Sequence, residues 1–198
     1  MSKRILYLFF FSGFAAIIYQ IVWQRVLFTC FGTNVEAVTI VVSVFMFGLG
    51  VGSLIGGALS RMYNQKLLEL FIVIEFCIGI FGIISIPLIK YINQLTMHSA
   101  EWQLPFIIYF ILFIPTMAMG STLPILVAYL YKMTKSVGGV VSNLYYINTL
   151  GSAIACIFTA GILFVFFSLT TATYIAALFN FIIAINAIMY LRKRTIQL

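Results

Sequence analysis

The sequence predicts an all-α, polytopic membrane protein with six transmembrane helices, forming a single domain over residues 1–198. Three observations predict this class. Hydrophobic residues make up 64% of the chain and charged residues 8%, whereas soluble domains have roughly 45–50% and about 25%, so polar groups cannot cover the surface. The apolar residues fall into six runs, each long enough to cross a hydrocarbon core of about 30 Å. Nine of the 11 basic residues (Lys3, Arg4, Arg61, Lys66, Lys132, Lys135, Arg192, Lys193 and Arg194) fall at the start, after the second and fourth runs, and at the end. The positive-inside rule places such alternate connections in the cytoplasm. Disorder, a secreted disulfide scaffold and a soluble single-domain enzyme are thereby excluded, and the net charge of +7 is topological rather than a nucleic-acid footprint.

The first run, Ile5–Phe28, starts like a signal peptide, with Lys3-Arg4, an apolar stretch and Ser12-Gly13-Phe14-Ala15-Ala16. Its apolar pattern continues unbroken to Phe28, which predicts a retained helix. Tyr19, Gln20 and Trp23 form a cluster nearer the outer face, with Arg25 one turn beyond. Arg25 and Glu36 flank the first outer loop and are placed for an ion pair. Tyr19, Trp23 and Arg25 equally fit an interfacial belt of aromatic and cationic side chains.

The second run, Val35–Ser60, carries Gly48, Gly52 and Gly56 at successive i, i+4 positions, with Gly50 and Gly57 beside them. A stripe of this kind lets another helix backbone approach closely, inside the same bundle or across a homodimer. The third run, Leu67–Ile89, holds Glu75, about 12 Å from the cytoplasmic boundary at helical rise. The connection Lys90–Gln103 is the long one and contains His98, Glu101 and Trp102.

The fourth run, Leu104–Tyr131, reaches roughly 42 Å as a helix, too long for a straight perpendicular span. Pro115, Gly120 and Pro124 weaken its backbone hydrogen bonding. The expectation is a kinked or locally unwound helix around Thr116–Thr122; a proline kink that only aids packing is the alternative. The fifth and sixth runs are Val140–Phe167 and Leu169–Leu191, and both termini are cytoplasmic in a multi-pass protein of the cell (inner) membrane.

A weak internal echo relates the halves. Glu75-Phe76-Cys77-Ile78-Gly79-Ile80 resembles Asn180-Phe181-Ile182-Ile183-Ala184-Ile185, and Leu49-Gly50 matches Leu150-Gly151. Three helices separate the copies, so the second enters the membrane in the opposite sense. The expectation is a 3+3 inverted repeat resembling half of a major-facilitator transporter.

Polar side chains at membrane depth are costly and are functional candidates by default. Asn148 and Asn180 fall roughly 13–17 Å deep. With Glu75, Thr116, Ser121 and Thr122 they can share one layer that binds a small polar or cationic solute. The same groups can instead form a satisfied internal network, or a protonated Glu75 can bond a neighbouring helix. Cys30, Cys77, Cys156 and His98 have no metal or redox spacing, and no phosphate-binding loop or catalytic triad is present, so no metal or cofactor is expected.

Four stretches together resemble the membrane module of the membrane-bound spermidine synthase-like family, also described as fused major-facilitator/spermidine-synthase proteins. They are Ser12 to Arg25 (SGFAAIIYQIVWQR), Phe45 to Ser53 (FMFGLGVGS), Pro115 to Pro124 (PTMAMGSTLP) and Leu144 to Gly151 (LYYINTLG). Their order and spacing cover nearly the whole chain. The family pattern usually has Glu after the tyrosine of the first helix, where this chain has Gln20. The family's soluble aminopropyltransferase domain is also missing from this stretch. That domain needs a glycine-rich nucleotide loop and acidic residues to hold the amine, and a chain without Asp does not supply them, so this polypeptide is not expected to be an enzyme on its own.

Three functions follow as expectations. The chain transports or presents a small polar solute, an amine by the resemblance, acting with a separately encoded soluble enzyme or as a subunit of a spermidine synthase-like enzyme. Alternatively it is a half-size major-facilitator-like transporter completed by homodimerisation. The third is a non-catalytic membrane assembly subunit. Its partners are the lipid bilayer and one of these, with no nucleic acid.

Overall fold

The computed structural model describes residues 3–31, 34–96 and 103–195, and every regular element among them is helical. Six helices are long and apolar enough to cross a membrane. They are α1 (Lys3–Phe31), α2 (Asn34–Met62), α3 (Leu67–Thr96), α4 (Gln103–Thr134), α5 (Val137–Phe158) and α6 (Leu169–Thr195). Beyond Phe158, α5 continues through a π-helical turn, Thr159–Leu163, and one α-helical turn, Phe164–Phe166. His98, Glu101 and Trp102 lie outside the described residues.

The helices outrun the apolar runs at several ends because polar residues such as Lys3, Arg4 and Lys132 continue them towards water, where free end groups can be solvated. Tight connections join neighbours. A 3₁₀ turn, Asn64–Lys66, links α2 to α3, and Lys132 Nζ donates to the Asn64 carbonyl. Lys135, in the left-handed region at φ 56°, ends α4; its N–H bonds the Tyr131 carbonyl at 2.9 Å.

Helices in lipid gain little from hiding apolar surface from one another, so close backbone approach decides which ones pair. α2 lies along α4, α1 along α5 and α3 along α6, while α1 also packs on α6 and α3 on α4. The glycine stripe explains the first pair. A Cβ at Gly48 would overlap Thr116, one at Gly52 the Met117 backbone, and one at Gly56 the Ser121 backbone and Pro124 ring. Gly120 of α4 in turn faces the Leu49 backbone. On the other side, Gly13 of α1 faces Asn148, and Gly151 of α5 faces the Phe10 carbonyl. The stripe is spent inside the bundle.

The expectation of local unwinding in the fourth helix is corrected. α4 is neither unwound nor interrupted around Thr116–Thr122; it is α-helical from Gln103 to Thr134 with Pro115 and Pro124 inside it. Hydroxyls help to hold that stretch: Thr116 donates to Leu112 O at 2.9 Å, Ser121 to Ala118 O at 2.6 Å and Thr122 to Met119 O at 2.7 Å. The glycines of α2 brace the same segment. The irregular turn occurs instead in α5, where the π-helical turn begins at buried Thr159, whose hydroxyl has no hydrogen-bond partner.

Candidate functional site

Glu75 is fully buried on α3, and each of its carboxyl oxygens accepts a side-chain hydrogen bond. Ser12 Oγ of α1 donates to Oε1 at 2.6 Å, and Asn180 Nδ2 of α6 donates to Oε2 at 2.7 Å. Asn180 Oδ1 accepts from the Tyr19 hydroxyl at 3.0 Å. Tyr19 fits over Gly82, where a Cβ would meet its ring, and stacks on Trp23 with centroids 5.3 Å apart. The Trp23 indole donates to Ser85 Oγ at 3.0 Å, and Ser85 passes its own hydrogen to the Gly82 carbonyl at 2.8 Å. A polar chain thus runs through the packed interior on α1, α3 and α6. Each member meets a partner, as buried polar groups must if the fold is to tolerate them.

Beside this chain lies a cavity of about 300 Å³ between α1, α2, α4 and α5. Its walls are mostly apolar, with Phe9, Ile17, Phe45, Leu49, Met119 and Leu123 among the lining residues. Polar groups reach it from every side: Ser12 and Gln20 from α1, Ser53 from α2, Thr122 from α4, and Tyr145, Asn148 and Ser152 from α5. An apolar hollow with a few convergent polar groups is the usual form of a small-molecule site. Ser12 belongs to both structures, because it lines the cavity and also donates to Glu75.

The single polar layer expected from the sequence divides, and it draws in members of the outer cluster. Glu75 and Asn180 join Tyr19 in the buried chain, while Thr122 and Asn148 line the cavity with Gln20. Asn148 Nδ2 is occupied by the Phe9 carbonyl at 3.1 Å. Thr116 and Ser121 belong to neither; their hydroxyls bond backbone carbonyls of α4, and that of Thr116 also reaches the Val44 carbonyl of α2 at 3.4 Å.

The outer cluster is corrected more strongly. Tyr19 and Trp23 are wholly buried, so they are core residues and not an interfacial belt. The Arg25 guanidinium lies 4.2 Å from the centroid of the Phe164 ring, and no ion pair with Glu36 occurs among the described residues. A ring face can hold a guanidinium by cation–π attraction, and the last turn of α5 brings that ring within reach. Glu36 is exposed in the first turn of α2, where a carboxylate suits the helix dipole.

Sequence reasoning did not select Ser12, Ser53, Ser85 or Ser152. Serine is common in membrane helices, and a single small hydroxyl carries no periodic signal. The available clue was position: Ser12 and Ser152 stand directly beside Gly13 and Gly151, the close-contact points between α1 and α5. Ser152 Oγ donates across that contact to the Gly13 carbonyl at 3.2 Å.

No protein-family model matches the chain, and no solved structure matches it. The chain is similar to a polyamine aminopropyltransferase of Oceanobacillus iheyensis, with 26% identity over 182 residues, or 89% of this chain. That match covers 33% of the relative, so the chain spans about a third of the length of the curated protein it resembles. The finding is a membrane-helical chain with weak similarity, over most of its length, to part of a polyamine-related enzyme.

Proposed function

We propose that this chain is a membrane module that binds a small amine-like solute in the cavity between α1, α2, α4 and α5, and transports or presents it. The observation that carries the reading is the double role of Ser12, which joins the cavity wall to the buried carboxyl of Glu75. An ionised carboxylate in a low-dielectric interior needs a cation, and an amine entering the cavity can supply that charge through the serine. The similarity to part of a polyamine aminopropyltransferase favours an amine over other polar solutes. The match spans a third of that relative, so the proposal is confined to solute binding by these membrane helices. We place the protein in the cell (inner) membrane with both termini cytoplasmic, on the distribution of its basic residues.

The same proposal includes a 3+3 inverted repeat relating α1–α3 to α4–α6, as in half of a major-facilitator transporter. Its support is a set of exchanged contacts. Gly52 on the Met117 carbonyl is mirrored by Gly151 on the Phe10 carbonyl, and Gly120 on Leu49 by Gly13 on Asn148. Glu75 meets Asn180 at 2.7 Å, and Phe76 meets Phe181 with centroids 5.2 Å apart, as equivalent positions near a two-fold axis would. This register pairs Gly52-Ser53 with Gly151-Ser152 instead of Leu49-Gly50 with Leu150-Gly151. It also favours the second reading, a half-size transporter completed by a second copy.

The test is binding of radiolabelled spermidine to the purified protein in detergent. Saturable binding that Ser12→Ala and Glu75→Gln each abolish, with melting temperature retained, supports the amine site. Absent binding to the wild-type chain, or binding unchanged in both variants, leaves the assembly-subunit reading.

A further inference from the structure

The ends of α1 and α6 nearest the chain termini enclose a second hollow, a groove of about 410 Å³ lined by Arg4, Tyr7, Leu8, Asn186, Met189 and Tyr190. Its electrostatics are one-sided. Lys3 and Arg4 occupy the first turn of α1, and Arg192, Lys193 and Arg194 lie on the last turns of α6. Neither helix contains an acidic residue. The acid closest in sequence to the neighbouring end of α3, Glu69, sits 3.9 Å from Lys66. Arg4 is exposed, in a setting with no carboxylate on either helix that forms the groove.

The remaining lining adds hydrogen-bonding groups around that charge. Tyr7 and Tyr190 bring phenolic hydroxyls. Asn186 spends one amide hydrogen on the Ile182 carbonyl at 2.8 Å, which leaves its second hydrogen and its oxygen. Away from the chain ends the groove passes onto an apolar seam. Leu8 and Phe11 follow Arg4 at helical spacing on α1, while Ile182 and Phe179 precede Asn186 at helical spacing on α6. Phe11 and Phe179 stack across the seam with centroids 5.5 Å apart, and Phe11, Ile182 and Met189 are exposed. Cation and hydroxyls at a helix end, with an exposed apolar strip running from them towards mid-membrane, match an amphiphile with an anionic head.

We propose that this groove binds an anionic phospholipid, with its phosphate against Arg4 and the hydroxyls of Tyr7 and Tyr190, and an acyl chain along Leu8, Phe11 and Ile182. Anionic lipid of the cytoplasmic leaflet attracts juxtamembrane cations generally; the groove adds a defined seat for one molecule. The site is separate from the cavity beside Glu75 and does not depend on what that cavity binds.

The experiment uses the full chain in a neutral detergent. Native mass spectrometry and thermal shift are recorded with phosphatidylglycerol, with phosphatidylcholine of the same chains, and with glycerol phosphate. The expected result is one retained phosphatidylglycerol per chain and a higher melting temperature with that lipid alone. Arg4→Gln should weaken its binding about fivefold, while Arg61→Gln, at the end of α2, should leave it unchanged. If Arg4→Gln does not accumulate, the paired variant Tyr7→Phe, Tyr190→Phe must still lower phosphatidylglycerol retention. Equal retention of phosphatidylcholine would overturn the proposal, as would equal losses in Arg4→Gln and Arg61→Gln. Stabilisation by glycerol phosphate matching that by the lipid would make the ligand a soluble anion and reject a lipid site.

Discussion

Glu75 and Asn180, 105 positions apart in the chain, meet side chain to side chain at 2.7 Å in the buried centre of the bundle. The amide divides its two ends between the carboxyl of Glu75 and the hydroxyl of Tyr19, so α3, α6 and α1 are fastened by one residue. Replacing either partner alone by an apolar residue leaves the other buried without its bond. Double replacement by apolar residues of similar shape is the gentler change.

Glu75→Gln keeps size and hydrogen-bonding capacity, so the fold should persist while amine binding is lost. Glu75→Leu should cost about 2 kcal/mol, because the Asn180 amide and the Ser12 hydroxyl lose their acceptor. Melting temperatures and spermidine binding of the two variants check this pair. Full binding by Glu75→Gln would remove the carboxyl from the site.

Ser12→Ala separates the cavity from Glu75 while deleting only one oxygen. Its expected stability cost is about 1 kcal/mol, with a much larger effect on ligand binding. If unfolding free energy and binding fall in proportion, Ser12 is a packing residue and has no part in recognition.

Gly52→Leu should destabilise by at least about 3 kcal/mol, since the side chain must push the Met117 carbonyl aside. Gly151→Leu should do the same through Phe10. Gly50 has open space where its Cβ would lie, so Gly50→Ala is expected to be neutral or slightly stabilising. Thermal unfolding in detergent of the three variants is the check; equal behaviour of Gly50→Ala and Gly52→Leu would contradict the close-packing assignment.

Cysteine accessibility tests the topology. In intact cells an impermeant maleimide should label Cys30, at the end of α1 that the proposed orientation puts outside, and spare Cys77 and Cys156, which sit on the bundle perimeter within α3 and α5. Labelling of Cys30 only after the cells are opened would invert the assigned orientation.

The six helices were legible because long apolar runs bounded by basic residues leave few alternatives in lipid. The stripe Gly48, Gly52 and Gly56 likewise announced close packing, although the sequence did not say that α4 would receive it. Depth along each helix placed Glu75 and Asn180 at similar levels, and they do meet. Depth alone did not reveal azimuth, so Thr116 and Ser121 were grouped with Glu75 and Asn180, although their hydroxyls bond backbone carbonyls instead. The proline rule pointed to a break in α4, but side-chain hydroxyls and the pressure of α2 accompany an unbroken helix there. The π-helical turn of α5 has only Gly161 as a local mark, too common a residue to signal it. Aromatic belts are a statistical tendency, and Tyr19 and Trp23 are buried because Asn180 and Ser85 offer their polar atoms partners inside.

The glycine contacts also have a mechanical side. Gly52, Gly56 and Gly120 lock α2 to α4 backbone to backbone, and Gly13 and Gly151 hold α1 to α5 in a similar way. With backbone against backbone there is no side-chain cushion to compress, so each couple behaves as a stiff lever with little slack. The cavity is bounded by all four of these helices. The volume between them is therefore set by how the two couples stand against each other and not by side-chain compression within either couple.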